Sequence, residues 1–190
     1  MTKKILAFMA SERRFRNTEK FLDIFLKEKF KDYDLKKIIL KDLDFSPCIS
    51  CYGCAKVPRC VLNDDVTNIY PLIDNSDLVI FASPIYFNSM PGKAKSFVDR
   101  MQVYWSRKFL QGEKIPKNKE GIGLLVGGAP FTDDQFLGLE LVLKHFYMAI
   151  GTESYVFYEV TETDKNEISE SANFINFINR DNENILIYKN

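Results

Sequence analysis

Several features that mark whole classes of protein are absent from this sequence of 190 residues. Its formal net charge is zero, with 26 basic and 26 acidic residues, so nothing indicates a surface for nucleic acid or anionic lipid. No segment approaches the roughly 20 apolar residues of a membrane-spanning helix. The apolar run near the start is too short for a signal peptide, because charge resumes at Glu12. We expect one cytoplasmic domain over residues 1–190, with no nucleic-acid or membrane partner.

Histidine and glycine are also scarce where common catalytic motifs need them. The single histidine, His145, lies in an apolar helical segment and is expected to be packed or exposed rather than catalytic. The loop from Ala10 to Thr18 contains no glycine, which excludes both the P-loop and the dinucleotide-binding glycine motif there.

All four cysteines fall within thirteen positions, at Cys48, Cys51, Cys54 and Cys60. Soft sulfur ligands in one short loop select iron–sulfur clusters, zinc or Cu(I). Three cysteines at every third position are typical of a loop around a cubane cluster, whereas structural zinc usually takes two separated pairs. The pattern therefore favours iron–sulfur. Two alternatives remain, namely zinc and unligated thiols. A disulfide is a weaker alternative, because a reducing compartment disfavours it.

Short apolar strands alternate with amphipathic helices along the chain. The pattern predicts strands at residues 4–9, 36–40, 78–82, 121–126 and 155–160, and helices at 17–29, 66–73, 92–101, 135–150 and 166–179. Wholly apolar strands indicate a parallel sheet buried on both faces. We expect an α/β, flavodoxin-like, doubly wound, five-stranded parallel sheet with strand order 2-1-3-4-5. A C-terminal extension starts at about residue 165, and its apolar run 185–188 either joins a neighbouring chain or docks on its own sheet.

Ligands of such sheets bind beyond the carboxyl ends of the strands, so the loops there are the candidate site. The first loop offers the hydroxyls of Ser11 and Thr18, the amide of Asn17 and the charge of Arg13 at the start of a helix. This arrangement suits a phosphate, although such residues are also ordinary helix caps. The cysteine loop follows strand 2 and emerges at the same edge.

Two further loops complete this edge. In the segment from Ser83 to Gly92, Tyr86 and Phe87 can flank a planar ring and Asn88 and Ser89 can bond its polar rim; the alternative is an ordinary strand–helix connection. In the loop after strand 4, Gly127 and Gly128 permit close approach of the backbone. Trp105 is expected at a subunit contact, over the cofactor or in the core.

Three motifs in order resemble the NAD(P)H-dependent FMN reductase family. They are the strand and loop from Ile5 to Thr18, the segment from Cys48 to Asp65, and the segment from Ser83 to Arg100 with Ser-Pro-Ile-Tyr and Phe-Val-Asp-Arg. The resemblance covers roughly residues 3–128. The cysteine spacing is similar to the iron–sulfur flavoprotein branch of that family.

The resemblance implies an FMN site and a cluster site. The FMN phosphate would bind Ser11, Arg13, Asn17 and Thr18, with the ring near Gly127 and Gly128. The isoalloxazine ring of FMN would lie along Pro84, Ile85, Tyr86, Phe87, Asn88 and Ser89. Cys48, Cys51, Cys54 and Cys60 would hold a 4Fe–4S cluster.

The resemblance also implies an activity: an enzyme in which electrons pass from NAD(P)H or a ferredoxin to a small-molecule acceptor, with the chemistry at the flavin rather than at a side chain. A homodimer or homotetramer is implied as well. The alternatives are a cluster-free NAD(P)H-dependent FMN or quinone reductase, and a non-enzymatic electron carrier or redox sensor.

Overall fold

A parallel sheet flanked by helices forms the centre of the chain. A computed structural model describes residues 2–116, 118–170, 174 and 188–189. The strands are β1 (Lys4–Met9), β2 (Asp34–Ile39), β3 (Leu78–Pro84), β4 (Lys119–Val126), β5 (Thr152–Val160) and β6 (Tyr188–Lys189). Their order is β2-β1-β3-β4-β5-β6, and the first five are parallel. This confirms the predicted flavodoxin-like order 2-1-3-4-5.

Among the residues that the structure describes, the helices with defined bounds cover both faces of the sheet: α1 (Asn17–Lys29), α2 (Tyr70–Asp74), α3 (Gly92–Asp99), α4 (Gln102–Phe109) and α5 (Leu137–Ile150). Alternate residues of β1 point to opposite faces, so Phe8 joins the cluster under α3, α4 and α5 while Met9 joins the cluster under α1. All seven residues of β3 are buried. Burial on both faces explains why the strands are apolar without alternation. None of the described helices has the length and apolar character needed to cross a bilayer.

Two predicted helices differ from the structure. The segment 66–73 is divided into a 3-10 turn (Asp65–Asn68) and α2, because Asp64 and Thr67 form a capping box on the turn and Pro71 starts a new helix. The segment 92–101 ends at Asp99, where tight bonds from Arg100 N to Phe97 O and from Met101 N to Val98 O break the helix. The sequence analysis did not predict the next helix, α4.

The C-terminal predictions are only partly within the described residues. In the predicted helix 166–179, Ile168–Glu170 forms a 3-10 turn, Phe174 is helical, and 171–173 and 175–179 lie outside the described set. In the run 185–188, Tyr188 pairs antiparallel with Tyr155 of β5, which supports docking on the chain's own sheet; residues 185–187 are outside the described set.

Two acidic side chains meet between β5 and α5. Burial, and then a hydrogen bond with Glu140 and the charge of that residue, raise the pKa of Glu159 to about 7. The ordinary value for glutamate is about 4.3, so the folded chain holds a proton here that the unfolded chain has released. The stability contributed by this proton is present at acidic pH and is lost as pH rises from about 4.5 to about 7.

We expect Glu159→Gln to stabilise the fold above neutral pH, because the amide keeps a neutral hydrogen-bonding group there. Since Glu159 is only half-buried, the gain should be about 1 kcal/mol, which raises Tm at pH 8 by about 2–4 °C. Thermal unfolding followed by circular dichroism at pH 4.5 and pH 8 measures it. The exposed Glu153 of the same strand provides the control, Glu153→Gln, which should have no such pH-dependent effect. Equal gains at both pH values would contradict the explanation.

Candidate FMN cleft and cysteine cavity

The first loop, between β1 and α1, presents a helix start that has no side-chain cap. The N-cap residue is Arg16, in an extended conformation, and its side chain makes no capping hydrogen bond. Ser11 and Thr18 are buried, and Ser11 Oγ accepts a hydrogen bond from Arg13 N at 3.1 Å. The predicted polar residues are therefore not ordinary caps. The first N–H groups of α1 and the positive end of its dipole face the cleft described below.

Glu19 holds the backbone of this loop in place. Its buried carboxylate accepts hydrogen bonds from Arg14 Nε at 3.1 Å, Phe15 N at 2.6 Å and Lys37 Nζ at 2.9 Å. Burial alone would raise the pKa of Glu19, but the bonds from Arg14, Phe15 and Lys37 outweigh it and lower the pKa to about 2. Phe15 has a φ of 58°, a left-handed conformation that this contact helps to hold. The sequence analysis missed Glu19, although a glutamate at the third helical position commonly bonds back to the preceding backbone.

The second loop is a tight hairpin after β3. Tyr86 N donates to Ser89 O at 2.8 Å and Ser89 N donates to Tyr86 O at 3.1 Å. The two residues between them, Phe87 and Asn88, have φ of 49° and 57°. Left-handed conformations at both central positions define a type I′ turn, which costs a non-glycine residue about 1–2 kcal/mol. The phenyl ring of Phe87 is fully exposed to solvent.

Helix α5 supports the hairpin from behind. A Cβ atom on Gly138 would lie 2.3 Å from Asn88 O, so only glycine permits α5 to approach this closely. The helix start thus fixes the turn that carries Phe87 and Asn88.

The third loop, after β4, is bonded to a fourth loop that follows β5. Thr163 Oγ1 donates to Gly127 O at 3.1 Å, and Asp164 N donates to Gly128 O at 3.1 Å. A Cβ on Gly128 would lie 2.4 Å from a carboxylate oxygen of Asp164. Asn17 Nδ2 of the first loop donates to Thr163 O at 2.8 Å. The fourth loop therefore connects the third loop to the start of α1.

These four loops enclose a cleft of about 460 Å³ at the carboxyl edge of the sheet. The predicted residues along its wall are Ser11, Arg13, Asn17, Thr18, Pro84, Ile85, Tyr86, Phe87, Asn88 and Gly128. Two others do not line it: Ser89 closes the hairpin and Gly127 packs against Gln135 and Phe136. The wall also contains Arg16, Val126, Ala129 and Pro130 of the predicted loops, and four residues that were not predicted: Thr132, Gln135, Thr163 and Asp164. Thr163 and Asp164 follow β5, and the same strand-end rule extended to that strand points to them.

All four cysteines line a second cavity, of about 360 Å³. None is in a disulfide; Cys51 is exposed and the others are half-buried. The described side chains include no group of three or more metal-ligand residues close enough to hold a single ion. Four cysteine thiols lining one cavity are nevertheless the donor set of a cubane cluster, in which each thiolate would bind a different iron.

The cysteine loop is docked on α4. Cys54 Sγ lies 3.3 Å from Ser106 Oγ, and Gln111 Nε2 donates to Cys54 O at 2.8 Å. Ser50 and Tyr52 have positive φ, and a Cβ on Gly53 would lie 2.4 Å from Val61 Cγ1, so the loop coils tightly. Trp105 of α4 lines this cavity and is partly exposed, so it is not a core residue; the expected subunit contact stays a prediction.

A buried ion pair closes the end of the cysteine loop. Both terminal nitrogens of Arg100 donate to Asp64, at 2.6 and 3.0 Å, and Arg100 Nη1 also donates to Ser46 O at 2.8 Å. Burial raises the pKa of Asp64, but the bonds from Arg100, Ser46 N and Val66 N outweigh it and keep the pKa below its ordinary value. The sequence analysis did not single out this pair.

Comparison with known proteins agrees with this geometry. A family model described as NADPH-dependent FMN reductase matches residues 3–133. The chain belongs to the NADPH-dependent FMN reductase family. An "iron-sulfur flavoprotein" of Archaeoglobus fulgidus is 32% identical over 111 residues, which cover 58% of this chain and 50% of that protein. An "iron-sulfur flavoprotein" of Methanosarcina thermophila is 29% identical over 127 residues, which cover 66% of this chain and 64% of that protein. The chain thus spans half to two thirds of these two relatives.

Solved structures share the fold of this family member at low identity. An NAD(P)H:quinone oxidoreductase from Methanothermobacter marburgensis has a TM-score of 0.70 and 15% identity, covering 94% of both chains. An FMN-dependent NADH-azoreductase from Bacillus anthracis, in complex with FMN, has a TM-score of 0.69 and 14% identity, covering 94% of this chain and 96% of that one.

We expect Glu19→Gln to destabilise the fold, because Arg14 and Lys37 lose the carboxylate that both contact. Removing one partner of a buried ion pair costs about 3–5 kcal/mol, and the partial exposure of the two cations places the loss near about 3 kcal/mol. Urea unfolding at pH 7 measures it, with Glu12→Gln in the same loop as the control. The difference in the free energy of unfolding between the variant and the unsubstituted protein should shrink as pH falls from about 4.5 towards 2. Over that range the carboxylate of Glu19 becomes protonated and its stabilising contribution is lost. A loss that persists unchanged at pH 2 would contradict the assignment.

Proposed function

We propose that this chain is an FMN-dependent oxidoreductase that transfers electrons from NAD(P)H or a ferredoxin to a small-molecule acceptor, through FMN and a 4Fe–4S cluster. The observation that carries the proposal is the cleft in which the first three loops bring together all the expected FMN residues except Ser89 and Gly127. Membership of the FMN reductase family supports the flavin, and the names of the curated relatives support the cluster.

In this proposal the first loop binds the FMN phosphate. Ser11 and Thr18 offer hydroxyl groups, α1 offers unpaired N–H groups, and Arg13 and Arg16 add positive charge at the rim of the cleft. The carboxylate of Asp164 is also in the cleft wall, against Gly128, and its repulsion would favour a phosphate beside Arg13 and Arg16.

The hairpin of the second loop would orient the ring system. Tyr86 and Phe87 supply aromatic surface, and the turn at Phe87 and Asn88 fixes the direction of its backbone polar groups. When bound, FMN supplies two-electron hydride chemistry and one-electron transfer, so no side chain need act as an acid or a base.

The cysteine cavity would hold the cluster through Cys48, Cys51, Cys54 and Cys60. Four sulfur donors lie within one cavity, and Ser106 of α4 and Gln111, just after α4, contact the middle of the loop. These features support the sulfur-rich ligand set that a cubane cluster needs, in which the cluster supplies one-electron transfer.

The proposal includes a homodimer or homotetramer in the cytoplasm. Large apolar side chains remain exposed on neighbouring helices α4 and α5, among them Trp105, Phe109, Leu137 and Leu141. Exposed apolar surface of this kind supports a subunit contact. Four free cysteines support a reducing compartment.

We expect the double substitution Arg13→Ala and Arg16→Ala to weaken FMN binding by about 10- to 100-fold, because charge-assisted hydrogen bonds contribute about 1.5–3 kcal/mol each and exposure reduces this. Riboflavin, which lacks the phosphate, should bind the variant and the unsubstituted protein equally. Flavin fluorescence quenching measures both affinities, and Lys27→Ala at the far end of α1 is the control. Equal losses of affinity for FMN and for riboflavin would show that Arg13 and Arg16 do not bind the phosphate.

The cluster is tested on anaerobically purified protein by visible absorption with iron, sulfide and flavin analysis. We expect flavin bands with a broad added shoulder and the 4Fe–4S stoichiometry. Cys51→Ser should lose the iron and sulfide but keep FMN, because the two cavities share no lining residue. Ser50→Ala, at the adjacent position, should keep both. Flavin bands alone would indicate a cluster-free reductase, and both cofactors without NAD(P)H consumption would indicate an electron carrier.

A further inference from the structure

Arg100 is a fully buried cation between the cysteine loop and α4. Its side chain has no exposed area, whereas the side chain of its partner Asp64 is 17% exposed. A guanidinium has five N–H donors. Three are used in the bonds described above: one from Nη1 to Ser46 O, one from Nη1 to Asp64 and one from Nη2 to Asp64.

The remaining edge of the guanidinium contains Nε. Within the described residues, Arg100 Nε is the one buried side-chain nitrogen or oxygen atom that has no hydrogen-bond partner. Because Asp64 occupies the end of the guanidinium, the Nε–H and the second N–H of Nη2 point in parallel from its side. An unpaired buried donor is costly, and native proteins rarely leave one without a ligand or a function.

The cysteine cavity is beside this donor. Arg100 lines the cavity together with all four cysteines. The two partners of Arg100 flank the cysteine loop: Ser46 lies two residues before Cys48, and Asp64 lies four residues after Cys60.

We propose that Arg100 is a cofactor-positioning residue whose Nε–H donates a hydrogen bond to a sulfur atom of the cluster. This inference rests on the cluster of the proposed function and adds a residue outside the cysteine motif. Asp64 then has a second role: by binding the end of the guanidinium it aims the free edge at the cavity.

A donor at this position should raise the reduction potential of the cluster. Hydrogen bonds to sulfur and nearby positive charge stabilise the more negative, reduced form. Arg100→Lys keeps the positive charge for Asp64 but lacks the parallel N–H edge. Asp64→Asn disturbs the same ion pair but leaves Nε in place, and it serves as the matched control.

The experiment is an anaerobic redox titration of the complete protein followed by electron paramagnetic resonance. At the potential where the unsubstituted cluster is half reduced, we expect Arg100→Lys to show about a tenfold lower ratio of reduced to oxidised cluster, equivalent to a shift of about 59 mV to more negative potential. Asp64→Asn should show no negative shift. Pulsed double resonance after transfer to D₂O should detect an exchanged deuteron coupled to the cluster in both the unsubstituted protein and Asp64→Asn, and no such deuteron in Arg100→Lys.

Each of the other outcomes rejects either the hydrogen bond from Arg100 or the cluster itself. An unchanged potential in Arg100→Lys, with iron and sulfide still bound, overturns the hydrogen bond and leaves the cluster assignment intact. Equal negative shifts in both variants overturn it too, because the ion pair alone would then explain them. Absence of iron and sulfide from the unsubstituted protein overturns the cluster and this inference together, while FMN binding is judged separately.

Discussion

The burial of β1, β3 and β4 on both faces is the constraint on which the rest of the structure depends. Parallel strands with no exposed face must run side by side, and the register that pairs Met9 with Ala82 and Pro84 with Val126 brings their carboxyl ends to one edge. The loops that follow are free of the core and can carry polar and aromatic side chains. The cleft is a consequence of this edge, whereas the cysteine cavity lies against α4 and has no strand residue among the described residues of its lining.

The strands and their order could be predicted because the signal is local. Each strand is a short apolar run, and the parallel arrangement follows from the intervening helices. The boundary between α3 and α4 could not be predicted from periodicity, because Met101 continues the apolar stripe of α3 while the backbone bends at Arg100 to bring its side chain against Asp64. A tertiary ion pair decides where that helix ends.

The residues of the candidate site also divide into those that the sequence predicts and those that only the folded structure reveals. Residues directly after a strand, such as Ser11 and Tyr86, were predictable from the strand-end rule. Glu19 and Asp164 had a local signal in their positions, but their partners Lys37 and Gly128 are distant in sequence. Arg100 was not predictable, because its role depends on Asp64, which is also distant in sequence. Motif matching identifies the groups that face a ligand, and the folded chain identifies the groups that hold those in place.

The link from Asn17 to Thr163 has a consequence for the limits of the functional unit. The stretch that matches the family ends at residue 133, whereas one wall of the cleft comes from the loop after β5. A shortened chain that kept only the shared stretch would retain every recognised motif and yet lack β5 and the partner of Asn17. The complete cleft therefore needs more of this chain than the stretch that matches the family.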